Sequence, residues 1–220
     1  GKDLDCLVLV NPDNPTGNYI SRKGMLKLAR WTKEKNIRFL ADESFVDFAE
    51  ETEPTLLVEE LLDENPHMIV VKSISKSYGI PGLRLGVAAS GDTDLIGQLK
   101  KDVAIWNINS FAEFYLQIYE KYAKDYAKAI EKFKQTRAAY IKDLQALSGL
   151  RVLPTQANYV LCEVTSGVTS RKLAEDLLEE NILIKDLSTK KGFDGKNYIR
   201  LAVRDEKDNA ILVEALKRYL

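Results

Sequence analysis

Apolar and polar positions alternate along this chain in two registers. Residues 4–10 form an apolar run that reads as a buried strand. The turn-forming segment Asn11-Pro-Asp-Asn-Pro-Thr-Gly17 follows it. Ser21 then stands as a helix N-cap ahead of Met25, Leu28, Ala29 and Thr32, which recur at helical spacing, and Asn36 suits a terminator. Residues 37–41 predict a second strand, ending at Asp42-Glu43. Residues 56–62 predict a short helix closed by Asn65-Pro66, and residues 68–73 and 85–89 predict a third and a fourth strand. Strands alternating with helices predict an α/β unit built on a mostly parallel sheet.

The pattern then changes. Residues 110–146 are rich in Lys, Glu, Ala, Tyr and Phe and contain no Gly or Pro. Tyr122, Tyr126, Ile130, Phe133 and Arg137 fall on or near one helical face, which predicts one long helix or two broken near Asp125. Beyond Ser148-Gly149 come a short strand near Val152, a strand over 159–164 and a helix over 171–180. Strands over 182–185 and 198–203 and a final helix complete a smaller α+β unit. The expected division is a large domain over residues 1–120 and a small C-terminal domain over 121–220, joined through the long helix.

Composition removes several function classes. Lys plus Arg total 32 against 33 Asp plus Glu, so no excess of positive charge points to nucleic acid or an anionic membrane. No apolar run approaches the roughly 20 residues that span a bilayer. The N-terminal residues lack the pattern of a secretory signal, and Cys6 and Cys162 are too few for a disulfide framework, so a cytoplasmic setting is expected. His67 is the one histidine, which argues against a histidine-based triad or a multi-histidine metal site, and no metal is expected.

Three segments carry the candidate chemistry, each placed just after a predicted strand. They are the Asn-Pro loop, then Asp42-Glu-Ser-Phe-Val-Asp-Phe48, then Ser73-Ile-Ser-Lys-Ser-Tyr-Gly-Ile-Pro-Gly-Leu-Arg-Leu-Gly86. Ligands of open α/β sheets bind beyond the carboxyl ends of the strands. Lys76, flanked by small residues, is a candidate nucleophile toward a carbonyl. Arg84 with the hydroxyls of Ser73 and Ser75 suits a phosphate. Asp42 suits a protonated ring nitrogen, and Asn14 a phenolic oxygen. Singly, each has an ordinary reading as a surface lysine, a helix cap or a turn former. Together and in this order they describe the parts of pyridoxal 5'-phosphate, whose chemistry needs a Schiff-base lysine and an acid opposite the pyridinium nitrogen.

On those residues the chain resembles fold-type I pyridoxal-phosphate enzymes of the class I/II aminotransferase group. Within it, the chain is similar to the branch of histidinol-phosphate aminotransferases and threonine-phosphate decarboxylases. Trp106-Asn-Ile-Asn109 and Tyr198-Ile-Arg-Leu-Ala-Val-Arg204 extend the likeness. The resemblance implies a partial large domain of the pyridoxal-phosphate transferase fold plus the small α+β domain. It implies that Lys76 forms the Schiff base and shuttles a proton, and that Asp42 pairs with the pyridine nitrogen. Asn14 would contact the phenolic oxygen, and Ser73, Ser75 and Arg84 would bind the phosphate. Asn158, in Gln156-Ala-Asn-Tyr159, would line the substrate side, and Arg200 would bind the substrate carboxylate. The implied reaction is amino transfer between an amino acid, phosphorylated or not, and a 2-oxo acid, in a homodimer.

The sequence departs from the pattern in three places. Phe45 stands where many relatives have a tyrosine that reaches the phenolic oxygen. Lys185 stands where relatives often have arginine, and an ammonium cannot form the planar fork. Relatives also carry a long N-terminal portion that supplies a phosphate-holding turn, a stacking aromatic and tyrosines for the partner subunit. The chain is therefore expected to be a C-terminal part of the enzyme, with the strand at residues 4–10 left as an apolar edge. Two further readings stand beside amino transfer: decarboxylation of an amino acid such as threonine phosphate, and a catalytically silent module of a larger polypeptide.

Overall fold

The computed structural model describes residues 4–193 and 195–220. The chain divides into two compact units, Gly1–Asp13 with Tyr19–Ile130, and Asn14–Asn18 with Glu131–Leu220.

The first unit holds a four-stranded sheet, order β1-β2-β3-β4, formed by Cys6–Val10, Arg38–Asp42, Met68–Lys72 and Val87–Ala89. β1, β2 and β3 run parallel, in the register Leu7↔Phe39 and Leu40↔Ile69. β4 departs from the expected parallel order and pairs antiparallel with β3. A parallel return needs a full crossover element. Between β3 and β4 lie only the single turn α3 (Ile74–Ser77), a 3-10 turn at Pro81–Leu83 and short loops, so the chain doubles back.

Helix α1 (Arg22–Glu34) is capped as expected: the Ser21 side chain accepts from the Gly24 N–H, and Asn36 follows in the left-handed region at φ 55°. Met25 and Ala29 of α1 pack on Phe39, Ala41, Met68 and Val70 of the sheet, with Leu56 completing the core. His67 joins that packing, with Nε2 2.9 Å from the Ala29 carbonyl. It is a fold residue.

Helix α2 (Glu59–Glu64) starts later than the apolar run suggests. The Glu43 carboxylate accepts from the Thr55 hydroxyl at 2.6 Å and the Leu56 N–H at 2.8 Å, so a buried side chain takes a backbone donor before the helix begins. Helix α4 (Thr93–Asp102) was not expected from the pattern, although Asp92 caps it by accepting from the Leu95 N–H. The helical stretch breaks at a 3-10 turn, Tyr119–Tyr122, between α5 (Ser110–Ile118) and α6 (Ala123–Gln145), rather than near Asp125.

The second unit holds an antiparallel sheet, order β5-β6-β8-β7, from Leu150–Val152, Tyr159–Val164, Tyr198–Ala202 and Lys185–Asp186. Helices α7 (Ser170–Glu179) and α8 (Glu206–Tyr219) cover it, and Leu173, Leu177, Leu212 and Leu216 pack on Val160, Cys162, Ile199 and Leu201. The expected strand at 182–185 shrinks to the pair Lys185–Asp186. Ile182 and Ile184 still pack on the core, so the alternation marks burial there and not pairing.

Candidate active site

In the first unit the candidate residues gather at the carboxyl ends of β2 and β3. Asp42 is the last residue of β2, level with Val10 and Val71, and is half-buried. Its Oδ1 accepts from the Ser44 N–H at 2.9 Å, a local turn that fixes the carboxylate at the strand end. The Ser44 hydroxyl accepts in turn from the Ser73 N–H at 3.1 Å, which ties the β2 end to the β3 end. Asn11, at the head of the Asn-Pro loop, is buried and bonds the Ile20 backbone in both directions at 2.8 Å. It closes the base of the Asn-Pro loop.

Lys76 lies in α3, exposed, with its ammonium 4.7 Å from the centroid of the Phe45 ring. Four residues are too few for a self-supporting helix, so tertiary bonds hold α3. The buried Ser75 hydroxyl donates to the Leu85 carbonyl at 3.0 Å and accepts from the Leu85 N–H at 2.9 Å. Its hydroxyl hydrogen is thus spent on Leu85, and its link to a phosphate would run through the neighbouring Arg84. Arg84 is exposed, at φ 55°, and its Nη1 donates to the Pro81 carbonyl at 3.1 Å. Asn109 Nδ2 donates to the Leu83 carbonyl at 2.9 Å and also caps α5, so Asn109 supports this loop. Ser44, Ser73, Ser75, Arg84 and Gly86 line one open concavity.

The second unit gathers the remaining candidates. Arg200 Nη1 donates to Asn14 Oδ1 at 2.7 Å, and its guanidinium carbon lies 5.0 Å from the Tyr159 ring centroid. Lys185 stands directly opposite Arg200 across β7 and β8. Directly opposed residues of an antiparallel pair share a face, and like charges there repel. Asn158 is half-buried, and its Oδ1 is a buried acceptor with no partner among the described residues. Arg137, buried, donates from Nη1 to the Ala157 carbonyl at 3.0 Å and so supports the segment that presents Asn158. Its place on a helical face was legible in the sequence; its bond was not.

These residues suit a phosphorylated aromatic aldehyde. A lysine amine stands on an apolar ring, an acid stands at a strand end, and an arginine stands beside serines. The orphaned Asn158 acceptor and the Lys185–Arg200 pair offer a donor-seeking atom and positive charge in the second unit.

Comparison with known proteins agrees with this chemistry. The chain is 36% identical to a CMP-5'-(3-aminopropyl)phosphonate synthase of Streptomyces rubellomurinus, over 97% of this chain and 34% of that protein. It is 34% identical to an L-serine phosphate decarboxylase of Sulfurospirillum multivorans, over 98% of this chain and 56% of that protein. The crystal structure of the histidinol-phosphate aminotransferase from Clostridium acetobutylicum superposes with a TM-score of 0.89 at 26% identity, over 99% of this chain and 64% of that one. The chain thus spans only part of the length of the relatives it matches. The family model for aminotransferase class I and II matches residues 1–216, and the chain belongs to that family, whose cofactor is pyridoxal phosphate.

Proposed function

We propose that the polypeptide carrying this chain is a pyridoxal-phosphate enzyme that decarboxylates an amino acid bearing a second anionic group, such as a phosphorylated hydroxy amino acid. The observation that carries the substrate class is the pair Lys185 and Arg200, two cations directly opposed on one sheet face. Their mutual repulsion is relieved by a substrate with two anionic groups. The likeness to a serine phosphate decarboxylase favours loss of the carboxyl group.

When bound, the cofactor supplies an electron sink. Asp42 would hold the proton on the ring nitrogen. Asn14 would bond the phenolic oxygen, and Phe45 would lie beneath the Lys76 amine without adding a second bond to that oxygen. Ser73, Ser75 and Arg84 would hold the phosphate, with Ser75 acting through the Leu85 backbone. Arg200 would orient the substrate carboxylate, Lys185 the distal anion, and Asn158 would accept from a substrate donor. Lys76 would return a proton to the substrate carbon.

Amino transfer to a 2-oxo acid is the second reading, favoured by the family itself. It uses the same residues, with Lys76 moving the proton between two carbons. Residues 1–120 would then be the remainder of the large cofactor domain and residues 121–220 the small one. A second copy of the chain is the proposed partner: Ile105 and Trp106 are 91% and 90% exposed, and Phe111 and Phe114 stand exposed beside them. The proposed setting is the cytoplasm, in keeping with two free cysteines. No helix among the described residues is long and apolar enough to cross a membrane.

The test supplies the full-length polypeptide with pyridoxal phosphate and O-phosphoserine or O-phosphothreonine. Carbon dioxide should be released with no keto acid present, and Lys185→Met should raise KM for the phosphorylated substrate far more than for the unphosphorylated one. Faster amino transfer to 2-oxoglutarate than carbon dioxide release would replace this reading with the second.

A further inference from the structure

Two lysines, not one, stand at the carboxyl end of β3. Lys72 is the last residue of the strand, and Lys76 follows in α3. Their surroundings differ. The Lys72 side chain is 11% exposed, and its Nζ donates to Asp47 Oδ1 at 2.5 Å. Lys76 is exposed and faces the Phe45 ring.

Asp47 sits in the 3-10 turn Val46–Phe48 after β2, and its second oxygen is also committed. Oδ2 accepts from the Ser77 hydroxyl at 2.6 Å, and Ser77 is the residue next to Lys76. One carboxylate therefore holds Lys72 with one oxygen and the end of α3 with the other. Aromatic rings pack beside it. Tyr78, which closes α3, stacks on Tyr126 with centroids 4.1 Å apart and planes within 2°. Burial, and then the charge of Asp47, pushes the Tyr126 phenol well above its usual range, so it adds no second negative charge to the cluster.

We propose that Asp47 is a positioning residue that selects Lys76 over Lys72 as the lysine that reacts with an aldehyde. The inference rests on the cofactor reading above and adds to it the reason that one of two neighbouring amines is used. An amine attacks a carbonyl through its lone pair. The carbon–nitrogen double bond forms as the carbonyl oxygen leaves in water together with the two amine hydrogens. The Lys72 nitrogen is held by the Asp47 carboxylate and shielded, so it reaches a carbonyl only if that ion pair opens. Lys76 faces a ring and not a carboxylate, and Ser77 keeps its short helix in place. Ser75 on the other side of Lys76 is tied to Leu85, so both flanking serines serve as anchors.

The experiment treats the chain with pyridoxal phosphate and then borohydride, which delivers hydride to the carbon of the double bond while water protonates the nitrogen. Peptide mapping locates the adducts. In the wild type Lys76 should carry the adduct and Lys72 should remain unmodified. In Asp47→Asn, Lys72 should gain an adduct comparable with that on Lys76, and Asp47→Glu should restore the selection. Wild-type Lys72 as reactive as Lys76, or a folded Asp47→Asn protein with Lys72 still unmodified, overturns the proposal. Ser77→Ala, which leaves the Lys72–Asp47 pair intact, gives an independent arm should Asp47→Asn lose its fold. It should leave Lys72 silent and lower the Lys76 adduct, and an unchanged Lys76 yield overturns the anchoring role. Absence of any Lys76 adduct in the wild type counts against the cofactor reading instead, so the two failures are distinguishable.

Discussion

Glu43 and Asp42 are neighbours in sequence with opposite surroundings. Asp42 is half-buried at the strand end, whereas Glu43 is buried against Thr55 and Leu56. Burial raises the Glu43 pKa from 4.5, although the bonds from Thr55 and Leu56 and the nearby Lys72 charge oppose the rise. The sign of the consequence is fixed by linkage. Between 4.5 and the raised value the folded chain binds more protons at this site than the unfolded chain does, so stability from this site falls as pH rises through that window. Glu43→Gln should remove that dependence. Urea unfolding of both proteins from pH 4.5 upward should show the wild type losing stability relative to the variant. Parallel curves would show that Glu43 is not the group responsible. The sequence singled out Asp42 but gave no sign that Glu43 is buried, because that burial arises from residues 55–56, which the fold brings in from a distance.

Elements whose pattern has one physical cause were legible in the sequence. Tyr159–Val164 was read within its bounds because it is apolar on both faces of a central strand, and α1 because its cap and its stripe agree. Elements shaped by side-chain bonds were not. The start of α2 is displaced by the Glu43 carboxylate, and the direction of β4 depends on a connection held by Ser75 and Asn109. The candidate site divides likewise. Residue types and order pointed to Lys76, Asp42 and Asn14, while the bonds of Asp47, Asn11 and Arg137 came from geometry alone. Ser75 was read as a phosphate ligand, and its bonds to Leu85 add a role in holding α3. Ser75→Ala would leave the buried N–H and carbonyl of Leu85 without their partner, at a cost of about 2 kcal/mol. Chemical denaturation should register that loss, and phosphate-group affinity should fall with it through Arg84. An unchanged midpoint would mean that α3 is held by other contacts.

At the scale of the molecule, the candidate residues divide between two compact units. The first holds Lys76, Asp42, Ser73, Ser75 and Arg84; the second holds Asn14, Asn158, Lys185 and Arg200. Asn14–Asn18 leaves the first unit and groups with the second, so a seven-residue motif contributes to both. That division explains why the motif's residues serve different partners: Asn11 closes a loop in one unit, and Asn14 meets Arg200 in the other. The proposed function requires one covalent event, that Lys76 takes up pyridoxal phosphate. The direct measurement is borohydride reduction of the full-length polypeptide with the cofactor, followed by mass mapping and by the same treatment of Lys76→Arg. A single reduced adduct on Lys76, absent from the variant, is the expected result. No adduct at Lys76, or adducts spread evenly over surface lysines in both proteins, would contradict it.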